Sequence, residues 1–212
     1  MTICGVDEAG KGPVLGPMVT AGVLISDPSE LETLDIKDSK KLSPKKRESL
    51  FEEIIASWQT YTVVRSPFEI DSREGTMNAF TASCHAEVVR ALHADVIYLD
   101  ACDVNAKRFG DTVLRMSGHT AEVCSEHKAD AKFPVVGAAS IVAKVTRDRC
   151  IAELKTEYGE IGSGYPSDAL TIAFLTEYIQ THGEAPACAR KSWQTTQDII
   201  NRSSQTGLSD FF

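Results

Sequence analysis

The chain has 212 residues, 42% of them hydrophobic and 25% charged, with a formal net charge of −8. This is enough apolar material to bury one sizeable core with an appendage. No apolar run is long enough to span a membrane and no basic-then-apolar leader opens the chain, so a cytoplasmic protein is expected. The acidic balance excludes indiscriminate binding to a polyanion, so a nucleic-acid partner would need a local basic surface.

Ile3–Asp7 is a strand-like apolar run that ends in two neighbouring carboxylates, Asp7 and Glu8, followed by the glycine-bracketed stretch Ala9-Gly10-Lys11-Gly12-Pro13. Adjacent strand residues face opposite sides, so the two acids reach one locus only if the strand ends or bends there, and Gly10 and Gly12 permit that bend. Carboxylates held close repel unless a cation neutralises them, and hard divalent ions such as Mg²⁺ choose oxygen ligands. Met18–Ile25 is a second strand.

Next comes the basic surface: Lys37, Lys40, Lys41, Lys45, Lys46 and Arg47, opposed by the single acid Asp38. Ser43 and Pro44 suit the N-cap and first position of a helix, whose N-terminal end attracts phosphate. Leu50, Phe51, Ile54, Ile55 and Trp58 recur at helical spacing as a core-facing stripe, Tyr61–Val64 is a strand, and Thr76–Leu92 is helical.

Asp100 closes the β-branched run Asp95–Asp100, and Asp130 follows the strand candidate Ala121–Ser125 ahead of a long helix. The acids are thus placed to converge at one sheet edge. Such a set suits a nuclease in which two cations about 3.5–4 Å apart clamp the attacking and leaving oxygens of a phosphoryl displacement. Helices are expected over Val136–Tyr158, Ser167–Gln180 and Ser192–Ile200, with Tyr165 in a glycine-proline turn. Meander strands followed by β-α alternation predict an α/β fold, a mixed sheet flanked by helices. Cys4, Cys84, Cys102, Cys124, Cys150 and Cys188 form no Cys-x-x-Cys pair and read as free thiols.

These motifs carry a resemblance to a known family. Asp7-Glu8-Ala9-Gly10-Lys11-Gly12-Pro13, Asp38-Ser39-Lys40-Lys41-Leu42-Ser43, Asp100-Ala101-Cys102-Asp103-Val104-Asn105, Lys128-Ala129-Asp130-Ala131-Lys132-Phe133-Pro134, Ala139 to Asp148 and Gly162 to Asp168 together resemble type 2 ribonuclease H (ribonuclease HII) of the archaeal kind. The resemblance implies the RNase H-like mixed sheet with a C-terminal helical subdomain, here 1–158, 159–200 and a flexible tail at 201–212. It implies that Asp7, Glu8, Asp100 and Asp130 bind two Mg²⁺ or Mn²⁺ ions, with Asp7 shared by both. The implied activity is hydrolysis of RNA in RNA–DNA hybrids and cleavage 5′ of single ribonucleotides in duplex DNA, leaving 3′-OH and 5′-phosphate ends.

The resemblance also implies that main-chain groups of Gly10, Lys11 and Gly12 meet the ribose 2′-OH, and that Tyr165 lies against the next deoxyribose. The family's tripeptide is often Gly-Arg-Gly, and Lys11 lacks arginine's bidentate fork. Lys40, Lys41, Lys46, Lys144 and Arg147 are candidate phosphate contacts, and His127 is a candidate neighbour of the metal site.

Gln205, Leu208, Phe211 and Phe212 resemble the sliding-clamp (PCNA) interaction peptide, with one helical turn gathering the three apolar residues. Ser203 and Ser204 suit a tether, and a monomer is expected. A junction resolvase would share the acids but not the Gly10-Lys11-Gly12 and Tyr165 elements. Type 3 ribonuclease H is disfavoured because no N-terminal extension precedes Ile3. A purely clamp-associated module would not need four placed acids, and Gly10-Lys11-Gly12 lacks the spacing of a P-loop.

Overall fold

Near-continuous burial along β1 (Ile3–Ala9) and β2 (Met18–Ile25) marks two central strands covered on both faces. The computed structural model describes residues 1–31, 34, 36 and 42–209, with side chains through residue 204. The elements that follow are α1 (Pro44–Ser57), β3 (Gln59–Arg65), α2 (Pro67–Asp71), α3 (Met77–Leu92), β4 (Val96–Asp100), α4 (Ala106–Ser117), β5 (Glu122–Glu126), α5 (Ala129–Lys132), α6 (Pro134–Tyr158), α7 (Ala169–His182) and α8 (Gln194–Ser209). The strands form one mixed sheet in the order β3-β2-β1-β4-β5. β1 runs antiparallel to β2 and parallel to β4, which is parallel to β5.

Local chemistry sets the helix boundaries. Ser43 accepts from the Lys46 amide with Pro44 at the first position, Thr76 caps α3, and Asp168 caps α7. α4 begins on Asn105 and stops at Gly118 in the left-handed region. That helix is absent from the sequence-based elements, although both of its caps are legible.

The chain forms two units. The first comprises Met1–Ala9, Val19–Val64 and Glu74–Thr146, and the second Gly10–Met18, Arg65–Arg73 and Arg147–Phe212. This differs from the consecutive division at residue 158, because short segments from early in the chain belong with the C-terminal helices. In the first unit Val19, Ala21 and Val23 of β2 join Leu50 and Ile54 of α1 and Val136, Ile141 and Val145 of α6 in one core. α6 packs tightly there, since a Cβ on Gly5 would lie 2.4 Å from the Val135 backbone. The second unit has its own core of Val14, Leu15, Ile151, Ile161, Leu175, Ile179 and Ile199.

Two further expectations are corrected. β1 does not end at the acids but continues through Asp7 and Glu8 to Ala9, and the sharp turn comes at Gly10, with φ +83°. α8 does not stop at Ile200 but runs to Ser209, so Ser203 and Ser204 are helical, and Ser204 Oγ donates to the Ile200 carbonyl at 3.0 Å. An intrahelical bond of this kind competes well with a solvated tether. No helix among the described residues is long and apolar enough to cross a membrane.

Candidate active site

In the first unit, parallel pairing places Val6 opposite Leu99, so Asp7 and Asp100, one residue further along each strand, lie side by side. Lys128 adopts the left-handed region at φ 57° and turns the chain from β5 into α5. That turn brings the Ala129 amide to Asp100 Oδ1 at 2.8 Å, with Asp130 the next residue. Asp130 is buried and lines a pocket of about 390 Å³ with Leu31, Leu34, Ile36, Ala131, Lys132 and Pro134.

Asp7 is buried, and burial, followed by the charges of Glu8 and Asp100, raises its carboxyl well above the usual carboxylate range. Hydrogen bonds from Ser140 and from the Glu8 amide, the latter at 2.7 Å, work in the opposite direction. Strand alternation sends Glu8 the other way, where its Oε2 meets His85 Nε2 at 2.8 Å. His85 is completely buried and packs edge-on against Phe109.

All four acids offer oxygen ligands, and Asp7 sits where a positive charge is needed to make ionisation favourable. The residues therefore fit a hard divalent cation. Among the described residues no three His, Cys, Asp or Glu side chains stand close enough together to hold an ion, and Glu8 is engaged by His85.

In the second unit, the structure brings Gly10, Arg147 and Tyr165 together. A Cβ on Gly10 would lie 2.6 Å from Arg147 Cδ, and the Arg147 guanidinium lies 5.0 Å from the Tyr165 ring centroid. Arg147 is 3% exposed and donates to the Ser163 carbonyl at 3.0 Å. Arg147 thus supports the tyrosine turn from beneath, with its stem packed in the interior. The Gly164 carbonyl accepts from Val14 at 2.8 Å and Leu15 at 3.1 Å, tying the turn to the segment after Gly12. Tyr165 itself is 39% exposed.

Arg190 was not singled out from the sequence. It is fully buried and donates to the carbonyls of Gly10, Lys11 and Gly16 at 2.5–3.1 Å. Burial, then the neighbouring Arg147 charge, draws it down to about 9. Trp193 completes the group, its Nε1 donating to the Gly12 carbonyl at 3.2 Å. His85 and Ser140 also carry no sequence signal of their role, since a histidine or serine on an apolar helix has nothing local to show that it faces a carboxylate.

The remaining candidates are more dispersed. Lys46 is exposed on the first turn of α1, and Lys144 is half-buried on α6. Lys40 and Lys41 lie outside the described residues, as do the side chains of Gln205 and Leu208 and all of Phe211 and Phe212. His127 is exposed, and its two ring nitrogens lie 3.3 Å from the carbonyls of Ala101 and Val104, which makes it a brace for that loop.

A mixed sheet of this order, with Asp7 and Asp100 side by side on β1 and β4 and Asp130 at the start of α5, is that of a metal-dependent phosphodiester nuclease of the ribonuclease H fold. The family model described as Ribonuclease HII matches residues 4–196. The chain is 83% identical to Ribonuclease HII of Methanocorpusculum labreanum over 212 residues, covering 100% of both. The structure of ribonuclease H2 from Pyrococcus horikoshii superposes with a TM-score of 0.92 at 42% identity, covering 97% of this chain and 100% of that one. The ribonuclease HII in the PCNA complex from Archaeoglobus fulgidus superposes with a TM-score of 0.86 at 43% identity, covering 92% of this chain and 96% of that one. The chain belongs to the ribonuclease HII family, metal-dependent endoribonucleases that act on RNA–DNA hybrids.

Proposed function

We propose that Asp7, Glu8, Asp100 and Asp130 hold two divalent cations, Mg²⁺ or Mn²⁺, and that the enzyme cuts 5′ of single ribonucleotides in duplex DNA as well as within longer hybrids, leaving 3′-OH and 5′-phosphate ends. The observation that carries this reading is the placement of the buried Asp7 beside Asp100 on neighbouring parallel strands, with the Ala129 amide on Asp100 and Asp130 the next residue. When bound, such cations supply Lewis-acid activation of water and neutralise charge on the departing oxygen.

The chain's own residues provide the rest. Ser140 and the Glu8 amide orient Asp7, and His85 orients Glu8. The backbone of Gly10, Lys11 and Gly12 tests for the 2′-OH, while Tyr165, backed by Arg147, rests on the neighbouring deoxyribose. Lys11, Lys46 and Lys144, together with Lys40 and Lys41, meet phosphates without reading sequence.

The Archaeoglobus fulgidus relative is solved as a complex with PCNA. For this chain, Gln205, Leu208, Phe211 and Phe212 are the proposed clamp-binding plug, which raises the enzyme's effective concentration at DNA. On this reading residues 1–158 supply the chemistry with the 2′-OH and phosphate contacts, 159–200 add Tyr165 and its supports, and 201–212 carry the clamp-binding plug, in a monomer of the cytoplasm.

The test is incubation with Mg²⁺ or Mn²⁺ and a DNA duplex containing one ribonucleotide, beside an all-DNA control, with the cut mapped. A cut 5′ of the ribonucleotide, absent from the control and lost in Asp7→Asn, supports both the metal site and the 2′-OH test. Cleavage of the control, or no cleavage with either metal, overturns the reading.

A further inference from the structure

The carbonyls of Gly10, Lys11 and Gly12 are all held by two residues from the far end of the chain. Arg190 takes the first two, through Nη2 at 2.5 Å and Nη1 at 2.9 Å, and Trp193 takes the third through Nε1 at 3.2 Å. A planar five-donor guanidinium suits this task, since its fixed fork meets several acceptors at once without losing much freedom for each bond. The anchor is itself secured. Arg190 N donates to the Val14 carbonyl at 2.8 Å, and Gly16 N donates to the Cys188 carbonyl at 2.8 Å.

The tryptophan is also secured. The guanidiniums of Arg190 and Arg73 lie over its ring at 4.9 and 5.2 Å from the centroid. Asp71 accepts from the Lys191 and Ser192 amides at 2.6 and 3.1 Å, which fixes the residues between Arg190 and Trp193.

None of the peptide bonds among the described residues is cis. In a trans peptide the N–H points opposite to the preceding C=O. Drawing the Gly10 and Lys11 carbonyls onto Arg190 therefore aims the Lys11 and Gly12 amides away from the buried guanidinium. At Gly12 a Cβ would meet nothing within 4 Å, so that face is open.

We infer that Arg190 and Trp193 are positioning residues for sugar recognition: Arg190 holds the Gly10–Lys11 and Lys11–Gly12 peptide planes so that the amides of Lys11 and Gly12 face the 2′-hydroxyl of the substrate, and Trp193 fixes the Gly12–Pro13 plane that ends the tripeptide. The inference rests on the reading that this tripeptide contacts the ribose.

The experiment compares the full-length wild type with Trp193→Phe and Arg190→Lys. Trp193→Phe keeps the aromatic face and removes the N–H donor, whereas Arg190→Lys keeps the charge and removes the fork. For each, kcat and KM are measured on a DNA duplex with one central ribonucleotide. Binding of that duplex and of its all-DNA counterpart is measured by anisotropy in Ca²⁺, and the Mn²⁺-induced thermal shift reports on the carboxylates.

Trp193→Phe is expected to lose about threefold to tenfold in kcat/KM, the value of one hydrogen bond, with the binding preference for the ribonucleotide duplex falling by the same factor. The Mn²⁺ shift should not change. Arg190→Lys should fall further on the same two measures, and if it does not fold, Trp193→Phe decides the matter alone. Wild-type preference in Trp193→Phe, or equal loss of affinity for both duplexes, overturns the inference. A wild type that shows no preference for the ribonucleotide duplex instead overturns the reading of the tripeptide on which it rests.

Discussion

His85 Nε2 lies 2.8 Å from Glu8 Oε2, with the imidazole fully buried on α3 and the carboxylate near the end of β1. A buried ring pressed against Phe109 has little freedom, so this bond sets where the Glu8 carboxylate points. His85→Phe should leave the sheet intact and release Glu8. The Mn²⁺ concentration for half-maximal cleavage should then rise by about tenfold or more, with a smaller effect on cleavage at saturating metal. A metal titration of activity checks this; an unchanged midpoint would show that the histidine only fills space.

Asp7→Asn should reduce cleavage by about a thousandfold or more, as expected when several kcal/mol of transition-state stabilisation are lost. Without added metal the same variant should melt about 2 °C or more above the wild type at neutral pH, because it removes a buried charge that Glu8 and Asp100 repel. The pH dependence follows from the same shift. The Asp7 pKa is raised in the folded state, so the folded protein binds that proton more tightly than the unfolded chain. Stability therefore falls as pH rises from the unfolded value near 3.8 toward the folded one. Metal-free wild type should lose this increment over that window, and Asp7→Asn should not. Calorimetry in chelator across the acid range measures both.

Added Mg²⁺ should reverse the order of stability. At a hundred times its dissociation constant a ligand stabilises the folded state by about 2.7 kcal/mol. The wild type should gain a rise of this kind in Tm and Asp7→Asn should gain little. Equal shifts in both would place the ion elsewhere.

Gly10→Ala places a methyl 2.6 Å from Arg147 Cδ and 2.7 Å from the Pro17 carbonyl, at φ +83°. Strain of this kind costs about 1–3 kcal/mol. The variant should melt at a lower temperature and lose selectivity for the ribonucleotide duplex, because the displaced Arg147 also supports Tyr165. Gly12→Ala meets no neighbour and should melt like the wild type while cutting more slowly.

Removing residues 205–212 should leave cleavage of short duplexes unchanged and abolish binding to the sliding clamp, as measured by calorimetric titration. Retained clamp binding would move the interface to another surface.

Much of this protein could be read from its residues in order. Strand alternation, helical stripes and caps are local, and so the five strands and the helices around Ser43, Thr76 and Asp168 were legible to within a few residues. The carboxylates could be picked out as candidates, because Asp7, Glu8, Asp100 and Asp130 stand in or just after strand-like runs. Tertiary structure decided what lies opposite them. Nothing near His85 announces Glu8, 77 residues away, and nothing near Arg190 announces the Gly10 carbonyl, 180 residues away. Arg147 illustrates the same limit: a cation beside Asp148 reads as a surface group, yet it is buried under Tyr165. Periodicity records which face of an element is apolar, whereas the partner of a buried polar group depends on how distant elements pack, and only the folded chain brings them within hydrogen-bonding distance.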